Sequence, residues 1–141
     1  MLRRRDFQVK VLDFGLAKLT QPSSTAPLRP LTGPGTVVGT LQYLAPEQLL
    51  GAGVDPRTDL FSLGVVLYEM VNGQSPFGGN NNRELISEIL HKEPSPMARS
   101  GGGIPEKLQQ VVQRALQKDT EERYQSALEM LSDLDDVLAA L

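Results

Sequence analysis

With 141 residues, 40% of them hydrophobic and 22% charged, the chain is long enough to bury one core and too apolar for wholesale disorder. Its 14 basic and 17 acidic residues leave a net charge of -3, which argues against nucleic acid or an anionic membrane as a partner. The absence of cysteine and the single histidine, His91, exclude a disulfide scaffold, thiolate or paired-histidine metal centres, and a Ser–His catalytic relay.

In chain order, Met1-Leu2-Arg3-Arg4-Arg5 is basic, but no apolar stretch follows it, so it does not read as a secretory signal. Its arginines read as a solvated charged run. No run approaches the ~18 apolar residues of a membrane-spanning helix. Phe7-Gln8-Val9-Lys10-Val11 alternates apolar and polar, which predicts a strand over 7–15 closing on Leu12-Asp13-Phe14-Gly15. Residues 19–36 hold four prolines, two glycines and six hydroxyls (Thr20, Ser23, Ser24, Thr25, Thr32 and Thr36), the composition of a long loop. Gly33-Pro34-Gly35-Thr36-Val37-Val38-Gly39 is one residue too long for a dinucleotide fingerprint and follows no strand.

Asp55-Pro56 reads as an N-cap and a first-turn proline. Only Ser62, Gly64 and Glu69 interrupt the apolar run over 60–71, so this helix needs burial on every side, and Gly73 suits its C-cap. The chain offers too few later elements to cover it all round. Asn80-Asn81-Asn82 can cap a short amphipathic helix over 83–92, with His91 on its surface. Leu108, Val111, Val112, Ala115 and Leu116 share one helical face. Ser126-Ala127-Leu128-Glu129 is a capping box for a last helix, whose stripe Leu131, Leu134, Leu138 and Leu141 is expected to be core.

Short motifs are weak singly, but their order here is not. Val11-Leu12-Asp13-Phe14-Gly15-Leu16-Ala17 is followed by the hydroxyl-rich loop. Then come Gly39-Thr40-Leu41-Gln42-Tyr43-Leu44-Ala45-Pro46-Glu47-Gln48, Arg57-Thr58-Asp59-Leu60-Phe61-Ser62-Leu63-Gly64, and Lys118-Asp119-Thr120-Glu121-Glu122-Arg123-Tyr124. The set resembles the C-terminal lobe of a protein kinase, specifically the eukaryotic-like Ser/Thr kinases of bacteria, over essentially the whole chain. Thr120, where proline is frequent, and Leu41 and Leu44 are small departures.

The resemblance implies a mainly α chain, the C-terminal lobe of the protein-kinase-like fold with a short β-strand at its N-terminus. It implies a partial kinase domain over 1–141: a strand over 7–15, an activation segment over 13–47 and a helical lobe over 48–140. Residues 1–5 would match the strand after the catalytic loop. Asp13 would bind Mg²⁺ on the phosphates of ATP, Phe14 would pack inward, and Gly15 would let the backbone swing. Thr32 and Thr36 would be phosphorylation positions of the activation loop. Gly39 and Thr40 would receive the protein substrate beside its phosphoacceptor. Glu47 and Arg123 would form a buried ion pair, and Asp59 would cap the catalytic-loop backbone.

No Gly-rich loop with its strand lysine and no His-Arg-Asp occurs in these 141 residues. The expectation is therefore a truncated kinase domain, without the N-lobe and catalytic loop, that is inactive alone and binds ATP and Mg²⁺ weakly or not at all. The parent reaction would be ATP-dependent phosphorylation of Ser/Thr on proteins, in the cytoplasm, with no nucleic acid and no membrane segment. The alternative is a non-catalytic kinase-like protein-binding module. Asp13, which a scaffold does not need, favours the enzyme.

Overall fold

The computed structural model describes residues 2–3, 9–10, 41–97 and 103–140. Two short strands, β1 (Leu2–Arg3) and β2 (Val9–Lys10), pair antiparallel with Leu2 opposite Lys10 and Arg3 opposite Val9. β2 falls inside the predicted strand; residues 11–15 lie outside the described set. The remaining described elements are all helices, as expected of the lobe.

Helix α1 (Pro46–Leu50) is too short to show periodicity. It is set by Pro46 in its first turn, by the Gln48 side chain accepting the Ala45 N–H at 2.9 Å, and by Gly51 at φ 68°. Helix α2 (Pro56–Asn72) starts where Asp55 accepts the Arg57 N–H at 2.8 Å and stops at Gly73, φ 78°, whose N–H donates to the Glu69 carbonyl. Helix α3 (Asn82–His91) is capped by Asn81, which accepts from the Glu84 N–H at 3.0 Å. Its Leu85 and Ile89 are buried and His91 is exposed. Helix α4 (Glu106–Ala115) buries Val111, Val112 and Ala115. A 3₁₀ turn (Thr120–Glu122), capped by Asp119, leads to α5 (Ala127–Ala139), where Ser126 accepts the Glu129 N–H at 3.1 Å.

α2 lies at the centre, packed on α4, and α4 in turn packs on α5. Phe61, Val65 and Tyr68 of α2 join Leu41, Leu44, Phe77, Ile89, Val112 and Leu116 in one core cluster. Leu60 joins Val111, Ala115, Tyr124, Met130 and Val137 in a second. α2 and α4 supply residues to both, so their interface ties the lobe together. It is close because Gly64 has no side chain: a Cβ there would stand 2.8 Å from that of Ala115.

Two sequence expectations meet the structure differently. α2 is not covered all round: Leu63 is 39% and Met70 69% exposed, on a face that meets no partner among the described residues. The leucine stripe of α5 is not the core. Leu131 is 51% and Leu138 68% exposed, Leu134 is half-buried, and the residues packed inward are Met130 and Val137. The buried stripe sits one position N-terminal to the leucines because α4 meets that side of the helix; Leu141 lies outside the described residues.

Candidate functional site

The sequence motifs converge where the stretch 41–47 lies along α2. On α2, Thr58, Ser62 and Glu69 stand at i, i+4 and i+11 and so share one face. Each meets that stretch. Ser62 Oγ donates to the Tyr43 carbonyl at 2.8 Å. Tyr43 donates its hydroxyl to Glu69 Oε2 at 2.8 Å, and this bond to a carboxylate, with burial, pushes the phenol above its ordinary value. Thr58 donates its hydroxyl to Glu47 Oε1 at 2.7 Å. Leu41, Leu44 and Ala45 are buried between these bonds.

Glu47 and Arg123, 76 residues apart, form a bidentate pair: Nη1 donates to Oε1 and Nη2 to Oε2, both at 2.8 Å. Arg123 is fully buried and Glu47 nearly so. Nε donates to the Gln117 carbonyl, Nη1 also to that of Arg57, and Nη2 also to that of Lys118. Those bonds engage all five N–H groups of the guanidinium, the condition under which a buried charge is tolerable. Burial pushes the Glu47 carboxyl up, but the hydrogen bonds from Arg123, from its own backbone and from Thr58 outweigh it, and the net direction is down. Removing one partner of such a pair costs about 3–5 kcal/mol, because the other is left charged and unmatched.

Behind the pair two stacked rings lie between two cations. The Arg123 guanidinium sits 4.9 Å from the centre of the Phe61 ring. Phe61 stacks on Phe77 with centroids 6.0 Å apart, and Lys118 Nζ lies 4.0 Å above Phe77. Nζ is buried without a hydrogen-bond acceptor among the described residues, and burial lowers its pKa to about 8. At the outer edge Arg57 pairs with Asp55 and with Glu121, both at 2.8 Å, and donates to Gln125. It thereby ties the start of α2 to the 3₁₀ turn that carries Arg123.

Of the residues singled out from sequence, Glu47 and Arg123 are therefore brought together. Asp59 stands exposed in the first turn of α2, on the same side as Leu63 and Met70, and its side chain meets no hydrogen-bond partner among the described residues. Asp13, Phe14, Gly15, Thr32, Thr36, Gly39 and Thr40 lie outside the described residues. Among the described residues no group of three His, Cys, Asp or Glu could hold a metal. No described helix is long and apolar enough to cross a membrane. A groove of about 810 Å³ between the end of α2 and α3 lies apart from the site. Its Glu84 and Glu88 already accept from Asn80, Asn81, Gly78 and Lys92.

The roles of Thr58, Ser62, Tyr43 and Lys118 were missed from sequence. A signal for the first two was present: hydroxyls four residues apart on an apolar helix need a buried acceptor.

The protein kinase domain family matches residues 1–133. The chain belongs to that family. It is 42% identical over 126 residues to the serine/threonine-protein kinase PknB of Mycobacterium leprae, covering 89% of this chain and 20% of that protein. It is 39% identical over 138 residues to the serine/threonine-protein kinase pkn2 of Myxococcus xanthus, covering 96% of this chain and 16% of that protein. A probable serine/threonine-protein kinase of Clostridium perfringens is 38% identical over 129 residues, 92% of this chain and 18% of that protein. The chain thus spans about a fifth of the length of the curated relatives it matches, and it is kinase-domain sequence of the bacterial Ser/Thr type.

Proposed function

We propose that these 141 residues carry the substrate platform and one metal-binding acid of a Ser/Thr protein kinase whose proton acceptor and nucleotide lid lie in other sequence. The observation that carries this reading is the anchoring of the 41–47 stretch. Glu47 is tied to Arg123, Tyr43 to Glu69, and Ser62 to the Tyr43 backbone, so the chain immediately after Gly39-Thr40 is fixed on the central helix. A platform built this way orients a protein substrate, and orientation with electrostatic stabilisation is most of what phosphoryl transfer asks of a protein.

In this reading Asp13 would hold Mg²⁺, which when bound would supply charge neutralisation on the phosphates of ATP, while Phe14 would pack inward and Gly15 would let the backbone swing. Mg²⁺ is usually bound by one or two carboxylates plus substrate phosphates, so a single aspartate from this chain is chemically sufficient as its share. Phosphate on Thr32 or Thr36 would add about two negative charges and order the loop against an arginine. The domain works in the cytoplasm, with a protein and ATP as partners. The 141 residues alone transfer no phosphate, because the group that accepts the hydroxyl proton is not among them.

The test joins this chain behind the N-terminal part of the kinase domain of the Mycobacterium leprae relative. The chimera is expected to move the γ-phosphate of ATP to Ser or Thr of a protein in a Mg²⁺-dependent manner, with loss of activity in Asp13→Ala; the chain alone is expected to show none. Transfer by the lone chain, or by the chimera after Asp13→Ala, would overturn the assignment. A folded chimera that is inactive yet captures a protein would favour the non-catalytic module.

A further inference from the structure

The guanidinium of Arg123 cannot adjust to its partner. Its Nε and both terminal nitrogens are held by the carbonyls of Gln117, Arg57 and Lys118, which belong to two separate stretches of backbone, 117–118 and the start of α2. The carboxylate must therefore come to the arginine in the right plane, and a glutamate side chain has three rotatable bonds with which to miss. Among the described residues the only other side chain on that carboxylate is Thr58, 4% exposed, whose Oγ1 donates to Oε1 at 2.7 Å.

Thr58 suits that task for two local reasons. Its β-branched side chain has few rotamers in a helix, so the hydroxyl direction is settled before Glu47 arrives. A helical Ser or Thr ordinarily gives its hydroxyl to the carbonyl four residues back, as Ser62 does to Thr58 at 3.3 Å in addition to Tyr43. Thr58 stands in the first turn of α2, and residue 54 precedes the helix, so that outlet is missing. We infer that Thr58 is a positioning residue that presents the Glu47 carboxylate to Arg123 edge-on, and so decides where α1 and the stretch before it seat on α2. This stands on the geometry alone and does not depend on the kinase reading.

The charged groups facing Glu47 are Arg123 across the pair and, beyond that guanidinium, Asp55, which is itself paired with Arg57. Glu47 has a lowered pKa in the folded chain, so the stability it contributes is present above the ordinary glutamate range and is lost as pH falls through the folded value. Removing the Thr58 donor moves that loss to higher pH.

The experiment follows the side-chain carboxyl carbon of Glu47 by ¹³C NMR through an acid titration of the full 141-residue chain. Thr58→Val keeps the shape and removes the hydroxyl; Thr58→Ser keeps the hydroxyl and removes the methyl. The titration midpoint is expected to move upward in Thr58→Val and to stay put in Thr58→Ser. In a double-mutant cycle with Glu47→Gln, the stability effect of Thr58→Val is expected to shrink, since the oriented charge is gone. An unmoved midpoint in Thr58→Val, or a shift in Thr58→Ser equal to that in Thr58→Val, overturns the inference. If Thr58→Val does not fold, Thr58→Ala against Thr58→Ser decides it, and identical midpoints in those two overturn it equally.

Discussion

Lys118 keeps a charged end where burial opposes it. The faces of Phe77 and Phe61 return some of the lost hydration, about 0.5–2 kcal/mol for a cation on a ring, and no acceptor among the described residues returns more. With an ordinary value of 10.5 lowered to about 8, the unfolded chain binds more protons than the folded one between those limits. Stability therefore rises with pH across that window, and below about 8 the full penalty stands. Lys118→Met, which fills the same slot without the charge, is expected to stabilise the chain at neutral pH by about 1–3 kcal/mol and to flatten the alkaline rise. Urea melts at pH 7, 9 and 10.5 measure both effects. A destabilised variant at pH 7 would mean that the rings hold the cation more strongly than burial disfavours it. The neighbouring pair behaves oppositely: Arg123→Ala leaves Glu47 buried and unmatched, and a loss of about 3–5 kcal/mol is expected in the same melts.

Helix contacts turn on smaller differences. At Gly64, alanine would gain about 1 kcal/mol in helix propensity. Its Cβ would however stand 2.8 Å from that of Ala115 and 3.2 Å from Leu116 Cδ2, and both neighbours are fully buried. Overpacking of that kind costs about 1–3 kcal/mol, so Gly64→Ala is expected to lower the melting temperature. Adding Ala115→Gly, which removes the opposing Cβ, should return part of the loss. On α5 the expectation is a contrast: Met130→Ala costs about 2–5 kcal/mol, while Leu138→Gln stays within about 0.5 kcal/mol.

That contrast also marks what the sequence could express. Caps were legible because they are local chemistry: Asp55, Gly73, Asn81 and Ser126 act within a turn of their own position. The face of α5 was not, because its apolar residues come in adjacent pairs, 127/128, 130/131 and 137/138, and either member of each pair gives a helical period. Docking on α4 makes the choice, and no residue of α5 encodes it alone. In the site, Glu47 and Arg123 were reachable only through the motif order. Thr58, Ser62 and Glu69 were visible as a polar line on an apolar helix, but their partners come from a loop whose path periodicity does not describe.

At the scale of the molecule, α2 joins the two core clusters and, among the described residues, leaves one face open. Asp59, Leu63 and Met70 lie along that face at i, i+4 and i+11, and Val66 and Leu67 beside them are half-buried. Exposed apolar surface in a row on a central helix favours association, and a net charge of only -3 opposes it weakly. The 141-residue chain is therefore expected to self-associate with rising concentration and to bind a hydrophobic dye while folded. Met70→Lys tests this with little other disturbance. Position 70 is 69% exposed, and it lies in the last turn of α2, which has no basic residue and where a cation is favoured by the helix dipole. The variant is expected to sediment as a smaller species at the same concentration and to bind less dye, with its unfolding free energy within about 0.5 kcal/mol of the parent chain. A parent chain that sediments as a monomer at high concentration and melts cooperatively would show that the lobe closes its own core, and that Leu63 and Met70 need no cover.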